Sequence, residues 1–225
     1  MTSHWKAVVL VAGLGLGLAA CSSAARTPGE PSPQPAAAPQ SDSAAIARAR
    51  ADSVRHPYTA ADVHFMSAMI GHHSQALVMA GWAPTHGASP SVLRLAERII
   101  NGQQDEIATM QQWLGDRGKP VPEAGRMGTS GHAHHGKPMP GMLTEAQLRQ
   151  LEQANGGEFD RLFLTSMIQH HRGAVAMVQD LFGTPGAARD ETVFKFANDV
   201  SVDQRTEVAR MERMLAALDP EQDSQ

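Results

Sequence analysis

Two adjacent histidines, His72 and His73, lie inside the run MSAMIGHHSQALVM (66–79), and nearly the same run returns as LTSMIQHHRGAVAM (164–177) with His170 and His171. Imidazole near neutral pH either moves protons or binds metal. Thioethers recur at fixed offsets from both doublets, at Met69 and Met79 and again at Met167 and Met177. Imidazole and thioether together select soft or borderline ions, with sulfur favouring Cu(I) and imidazole favouring copper or zinc. Methionine on a helix seam more often only fills awkward core space.

Those side chains must be carried by helices, because the repeat and its periodicity leave no other element. Sliding the chain by 98 positions superposes Asp62, Phe65, Met69, Ile70, His72, His73, Ala76 and Met79 on Asp160, Phe163, Met167, Ile168, His170, His171, Ala174 and Met177. After each copy come a Gly/Pro break and a second helical pattern, in which a shift of 101 aligns Gln103, Glu106 and Met110 with Gln204, Glu207 and Met211. Each repeat therefore reads as helix, break, helix. Two such hairpins predict an all-α antiparallel four-helix bundle with internal two-fold symmetry, its helices near 59–82, 88–116, 157–182 and 188–218. Ser41 to Arg55 reads as a lead-in helix over 41–56, and Thr144 as the N-cap of a short helix before the third.

Phe65, Met69, His72, Ala76 and Met79 follow a seam rhythm, and His73 follows it one residue later, so both histidines belong to a broad inward face. Ser67, Gly71, Ser74 and Gln75 fall on the other face, matched by Thr165, Gln169 and Arg172 in the second copy. Gln103 with Glu106, and Gln204 with Glu207, interrupt the seams of the partner helices and should meet the histidine layer. A buried imidazole or carboxylate needs a partner. That partner is either a hydrogen-bonding neighbour in a layer that fixes helix register, or a metal held by His72 and His170 across the bundle with Glu106 and Glu207 beside them.

The segment joining the hairpins, RMGTSGHAHHGKPMPGM (126–142), places Met127, His132, His134, His135, Met139 and Met142 among glycines and prolines, where no core needs filling. A His-rich tract of this kind is a compositional signal for metal.

The first residues expect export. A short apolar run, Ala7 to Leu18, ends in Leu-Ala-Ala-Cys at Cys21, which resembles a bacterial lipobox: 1–20 would be the signal peptide and Cys21 the lipid-bearing anchor. An ordinary secretory signal is the alternative, and both place the mature protein outside the cytoplasm, at the cell envelope and on its periplasmic side if the host is Gram-negative. Residues 21–40, rich in Pro, Ala and Ser, read as a tether before a domain spanning 57–220. Cys21 is the only cysteine, so neither disulfide nor thiolate ligand is available to that domain. A net charge of −4 without a basic patch, and 4% aromatic residues, argue against nucleic acid. No nucleophile stands beside a base, and no glycine loop suits phosphate, so catalysis is not expected.

The two F-x-x-x-M-I-x-H-H-x-x-A-x-x-M segments (65–79 and 163–177), with GGEFDRLFL and MPGML before the second, resemble the domain of unknown function 305 family over roughly Pro57 to Leu218. The resemblance implies a ferritin-like fold, export and, for some members, periplasmic copper binding linked to copper tolerance. It implies metal association for Met69, His72, His73, Met79, Met167, His170, His171 and Met177. The function expected is therefore extracytoplasmic copper binding or buffering, with Cu(I) or Cu(II) as the ion and a homo-oligomer or a metal-accepting protein as further partner. A structural or interaction bundle with a buried His–Glu layer is the alternative. A di-iron redox enzyme fits less well, because Met69 and Met167 stand where Glu-x-x-His would need carboxylates.

Overall fold

The computed structural model describes residues 57–124 and 139–218, together with positions 44, 47, 48 and 51. Those four positions are helical and fall in the expected lead-in segment. Cys21, the tether and the linker residues Met127, His132, His134 and His135 lie outside the described residues.

Helix α1 runs Ala60–Trp82, α2 Pro90–Asp116, the short α3 Glu145–Gln153, α4 Gly156–Gly183 and α5 Glu191–Leu218. Their starts follow from side chains that satisfy the first free N–H groups. Thr59 and Asp62 form a reciprocal capping box on α1, and Thr144 and Gln147 do the same on α3. Ser89 caps α2 with Pro90 at its first turn, and Asp190 Oδ1 accepts from Val193 N at 3.1 Å on α5.

Helix α1 packs along α2, α4 packs along α5, and the two hairpins meet through α1 and α4. Two repeat-related aspartates tie the hairpins together at opposite ends. Buried Asp62 accepts from Ala188 N at 2.7 Å in the α4–α5 turn, while Asp160 accepts from Ser89 N at 3.1 Å in the α1–α2 turn. Each therefore caps the other hairpin's turn, and the Asp62 contact holds Ala188 at its left-handed φ of 54°.

The apolar core is split. One cluster contains Met79, Leu95, Ile99, Phe159, Phe163, Met167 and Met211; the other contains Phe65, Met69, Ile70, Met110, Trp113, Val178 and Val200. On every long helix the residues between the two clusters are polar and mostly buried: His72 and His73, Gln103, His170 and His171, and Gln204.

One expectation is corrected on α1. Ser74 and Gln75 are buried rather than outward: Ser74 Oγ donates to the Ile70 carbonyl of its own helix at 2.8 Å, and the strap Met139–Leu143 covers Gln75. Leu143 N donates to Gln75 Oε1 at 2.8 Å, and Gln75 Nε2 donates back to Leu143 O at 3.1 Å. In the second copy Thr165, Gln169 and Arg172 stay exposed, although Gln169 also reaches the strap, its Nε2 donating to the Gly141 carbonyl at 3.4 Å.

The strap also runs against α4 at Gly173, where a Cβ would lie 2.1 Å from the Pro140 carbonyl oxygen and 2.5 Å from Gly141 Cα. Gly173→Ala must push the strap away and is expected to cost about 1–3 kcal/mol in urea unfolding. Gly102→Ala, on an exposed turn of α2 with nothing within 4 Å, should instead be neutral or stabilising by roughly 0.5–1 kcal/mol. Equal effects from the two substitutions would contradict the strap contact.

Candidate metal centre

The four histidines form the centre of the polar layer, and consecutive residues on a helix point about 100° apart. That divergence sorts them into two kinds. His72 and His170 face each other between the hairpins, their ring centroids 3.9 Å apart. His73 and His171 turn instead toward the partner helix of their own hairpin: His73 Nε2 lies 2.7 Å from Glu106 Oε2, and His171 Nε2 lies 2.7 Å from Glu207 Oε2. The second of these is a well-formed hydrogen bond, whereas the His73 contact is close but off hydrogen-bonding angle. The expectation that Glu106 and Glu207 would flank His72 and His170 is thus corrected, since the carboxylates take the other histidine of each doublet.

The inner pair finds backbone partners. His72 Nε2 donates to the Pro140 carbonyl of the strap at 3.0 Å, and His170 Nε2 donates to the His72 carbonyl at 2.9 Å. A carbonyl can only accept, so both rings carry hydrogen on Nε2 and keep a lone pair on Nδ1. The Nδ1 atoms of His72, His73, His170 and His171 are all buried without a hydrogen-bond partner, as are both amide atoms of Gln103 and Oε1 of Gln204. Metal-binding histidines are commonly prepared in this way, with one ring nitrogen held by a carbonyl or carboxylate and the other presented.

Among the described residues, no three His, Cys, Asp or Glu side chains come close enough to hold one ion. Met69, Met79 and Met167 are fully buried in the apolar clusters, while Met139, Met142 and Met177 are half-buried. Sequence reasoning missed Gln75, whose amide pins the strap over His72, and the crossing roles of Asp62 and Asp160. The aspartates were visible as repeated identities, but nothing local showed what they reach.

Burial lowers His72 to a pKa of about 3, with the neighbouring His73 adding to the effect, and burial followed by His72 holds His170 well below the ordinary value of 6.5. Desolvation likewise raises the Asp203 carboxyl on α5, reinforced by the charges of Glu106 and Glu207.

A family model described as "Domain of unknown function (DUF305)" matches residues 62–215. The bundle resembles the crystal structure of a DUF305 fragment from Deinococcus radiodurans, with 32% identity, a TM-score of 0.60 and coverage of 72% of this chain and 99% of that one. A DUF305 protein from Streptomyces coelicolor is 26% identical with a TM-score of 0.59, covering 70% and 93% of the two chains. CopM in its Cu(II)-bound form is 31% identical with a TM-score of 0.56, covering 69% and 96%, and CopM has also been solved with Cu(I). A curated relative, uncharacterized protein L153 of Acanthamoeba polyphaga mimivirus, is 38% identical over 56 residues, a match to 25% of this chain that spans 37% of that protein's length.

The inner histidines also set a pH dependence. In the unfolded chain they take up protons near pH 6.5, whereas folded His72 does so only near 3, so the unfolded state binds more protons in between. Stability is full above about pH 6.5 and falls toward pH 3 by up to roughly 1.4 kcal/mol per pH unit for each such histidine. Urea unfolding at pH 7.5, 6, 5 and 4.5 should show this slope, and His170→Asn should reduce it. A flat profile in the parent would contradict neutral burial.

Proposed function

Because this chain belongs to the DUF305 family, we propose that it is an exported copper-binding protein that holds Cu(I) or Cu(II) through histidine and methionine and buffers or passes on the ion. The observation that carries this reading is the preparation of four imidazoles around one layer, each with Nε2 beside a carbonyl or carboxylate and Nδ1 buried without a partner. The copper-bound forms of CopM, similar over most of both chains, support the choice of ion. Export and anchoring at Cys21 rest on the sequence of the leader. The linker donors Met127, His132, His134 and His135 extend the soft ligand set next to Met139 and Met142.

An oxygen-rich di-iron centre is less well supplied. Helices α1 and α4 bring histidine to the layer, α2 and α5 bring Gln-x-x-Glu, and Met69 and Met167 occupy the positions three before His72 and His170. A structural reading of the layer is favoured by a different detail: His72 and His170 each already donate to a backbone carbonyl, which fixes the strap and the register of α1 against α4.

Titration of the intact chain with Cu(I), Cu(II), Zn(II) and Fe(II), read by thermal unfolding, separates these readings. At a hundredfold excess over Kd a bound ion adds about 2.7 kcal/mol, a rise of roughly 5–10 °C for a domain of this size. Copper should give this rise, and replacing His72 and His170 in one variant, and His132, His134 and His135 in another, apportions it between layer and linker. An unchanged melting temperature with every ion would leave the structural reading standing.

A further inference from the structure

A surface groove beside the strap collects soft donors from three separate segments. It encloses ≈ 170 Å³ and is lined by His64 of α1, Met139 of the strap, and Met177 and Asp180 of α4. We propose that this groove is a solvent-accessible Cu(I) site in which His64, Met139 and Met177 are the ligands and Asp180 supplies the neighbouring negative charge. It deepens the copper reading above and rests on it.

The chemistry of the donor set is the first reason. Two thioethers and one imidazole suit a soft monovalent ion, and one carboxylate nearby balances its charge without the oxygen-rich shell that Mg or Ca requires. Placement is the second. Ala61 and Ala68, three before and four after His64, are its neighbours on the same strip of α1 and also line the groove, with Phe65 and Leu181 completing its apolar wall. Met177 and Asp180, three apart, share a strip of α4. Met139 directly precedes Pro140, whose carbonyl is held by His72, so the third donor sits on backbone anchored to the core.

Access is the third reason. Met69, Met79 and Met167 are fully buried in the apolar clusters, so an ion reaches them only if the bundle opens. Met139 and Met177 are half-buried, and His64 and Asp180 are exposed. The groove also breaks the internal symmetry. The shift of 98 positions takes His64 to Leu162 and matches Met177 with the fully buried Met79, so the second half of the repeat does not reproduce this donor set.

The test uses the intact chain labelled with 13C at the methionine methyls and titrated anaerobically with Cu(I). The Met139 and Met177 signals, assigned with Met139→Leu and Met177→Leu, should be the first to shift, and equimolar Zn(II) should not reverse the change. In competition with a bicinchoninate chelator, the double leucine variant should lose one equivalent of Cu(I). Asp180→Asn should weaken that equivalent on the order of tenfold, and His64→Gln by more. Unchanged signals from Met66 and Met69 certify that the variants remain folded, and the parent spectrum decides the matter even where a variant does not fold. If the chain takes up Cu(I) while Met139 and Met177 stay still, the groove assignment is wrong and the copper reading survives. If no Cu(I) is bound at all, both fail.

Discussion

A band of imidazole, amide and carboxylate crosses the middle of an otherwise apolar bundle, and the rest of the fold is arranged around it. Leaving one buried donor or acceptor unmade costs about 1–3 kcal/mol, so the band tolerates few positions for its neighbours. Two apolar seams alone can slide along each other by a helical repeat at modest cost. Here a slide of α4 against α1 would take His170 Nε2 off the His72 carbonyl and separate two tilted rings whose centroids lie 3.9 Å apart. The polar layer therefore specifies register, and the clusters on either side supply most of the burial. Asp62 and Asp160 enforce the same alignment from the two ends, since each reaches into the opposite hairpin's turn.

The repeat is symmetric in its helices and asymmetric in what covers them. The strap 139–143, part of the connection between hairpins, lies over α1 at Gln75 and against α4 at Gly173. Its closeness to α4 depends on glycine at 141 and 173, where the two backbones meet without intervening side chains. One consequence is that His72 donates to a strap carbonyl while its counterpart His170 donates to a helix carbonyl. Residues equivalent by the repeat thus have different partners, and the first doublet is tied to the strap through His72.

Much of this was legible in the sequence because the determining interactions are local or periodic. Capping residues and Gly/Pro breaks mark the helices to within a few residues, and the seam rhythm points both doublets inward. What was not legible depends on contacts between distant residues. Gln75 follows the outward rhythm of α1, and the strap, 68 residues further along the chain, covers it. The pairing of Glu106 with His73 rather than His72 turns on which neighbouring helix each histidine faces, and a seam pattern states depth without stating direction. His64 and Asp180 carry no motif, so the groove they share with Met139 and Met177 emerges only from the packing of three segments.

The energetics of the layer also bear on the kind of ion that suits this protein. His72 and His170 are held neutral by burial, and each offers one lone pair in a space closed to water. A hard divalent ion placed there would lose its hydration shell and find too few oxygens to replace it. The carboxylates do not remedy this, because Glu106 and Glu207 keep 21% and 17% of their side chains exposed and engage the outer histidines. A soft ion of single charge loses less on leaving water and gains more from nitrogen and sulfur. The layer, the groove and the linker tract have in common that they offer nitrogen and sulfur in place of an oxygen shell.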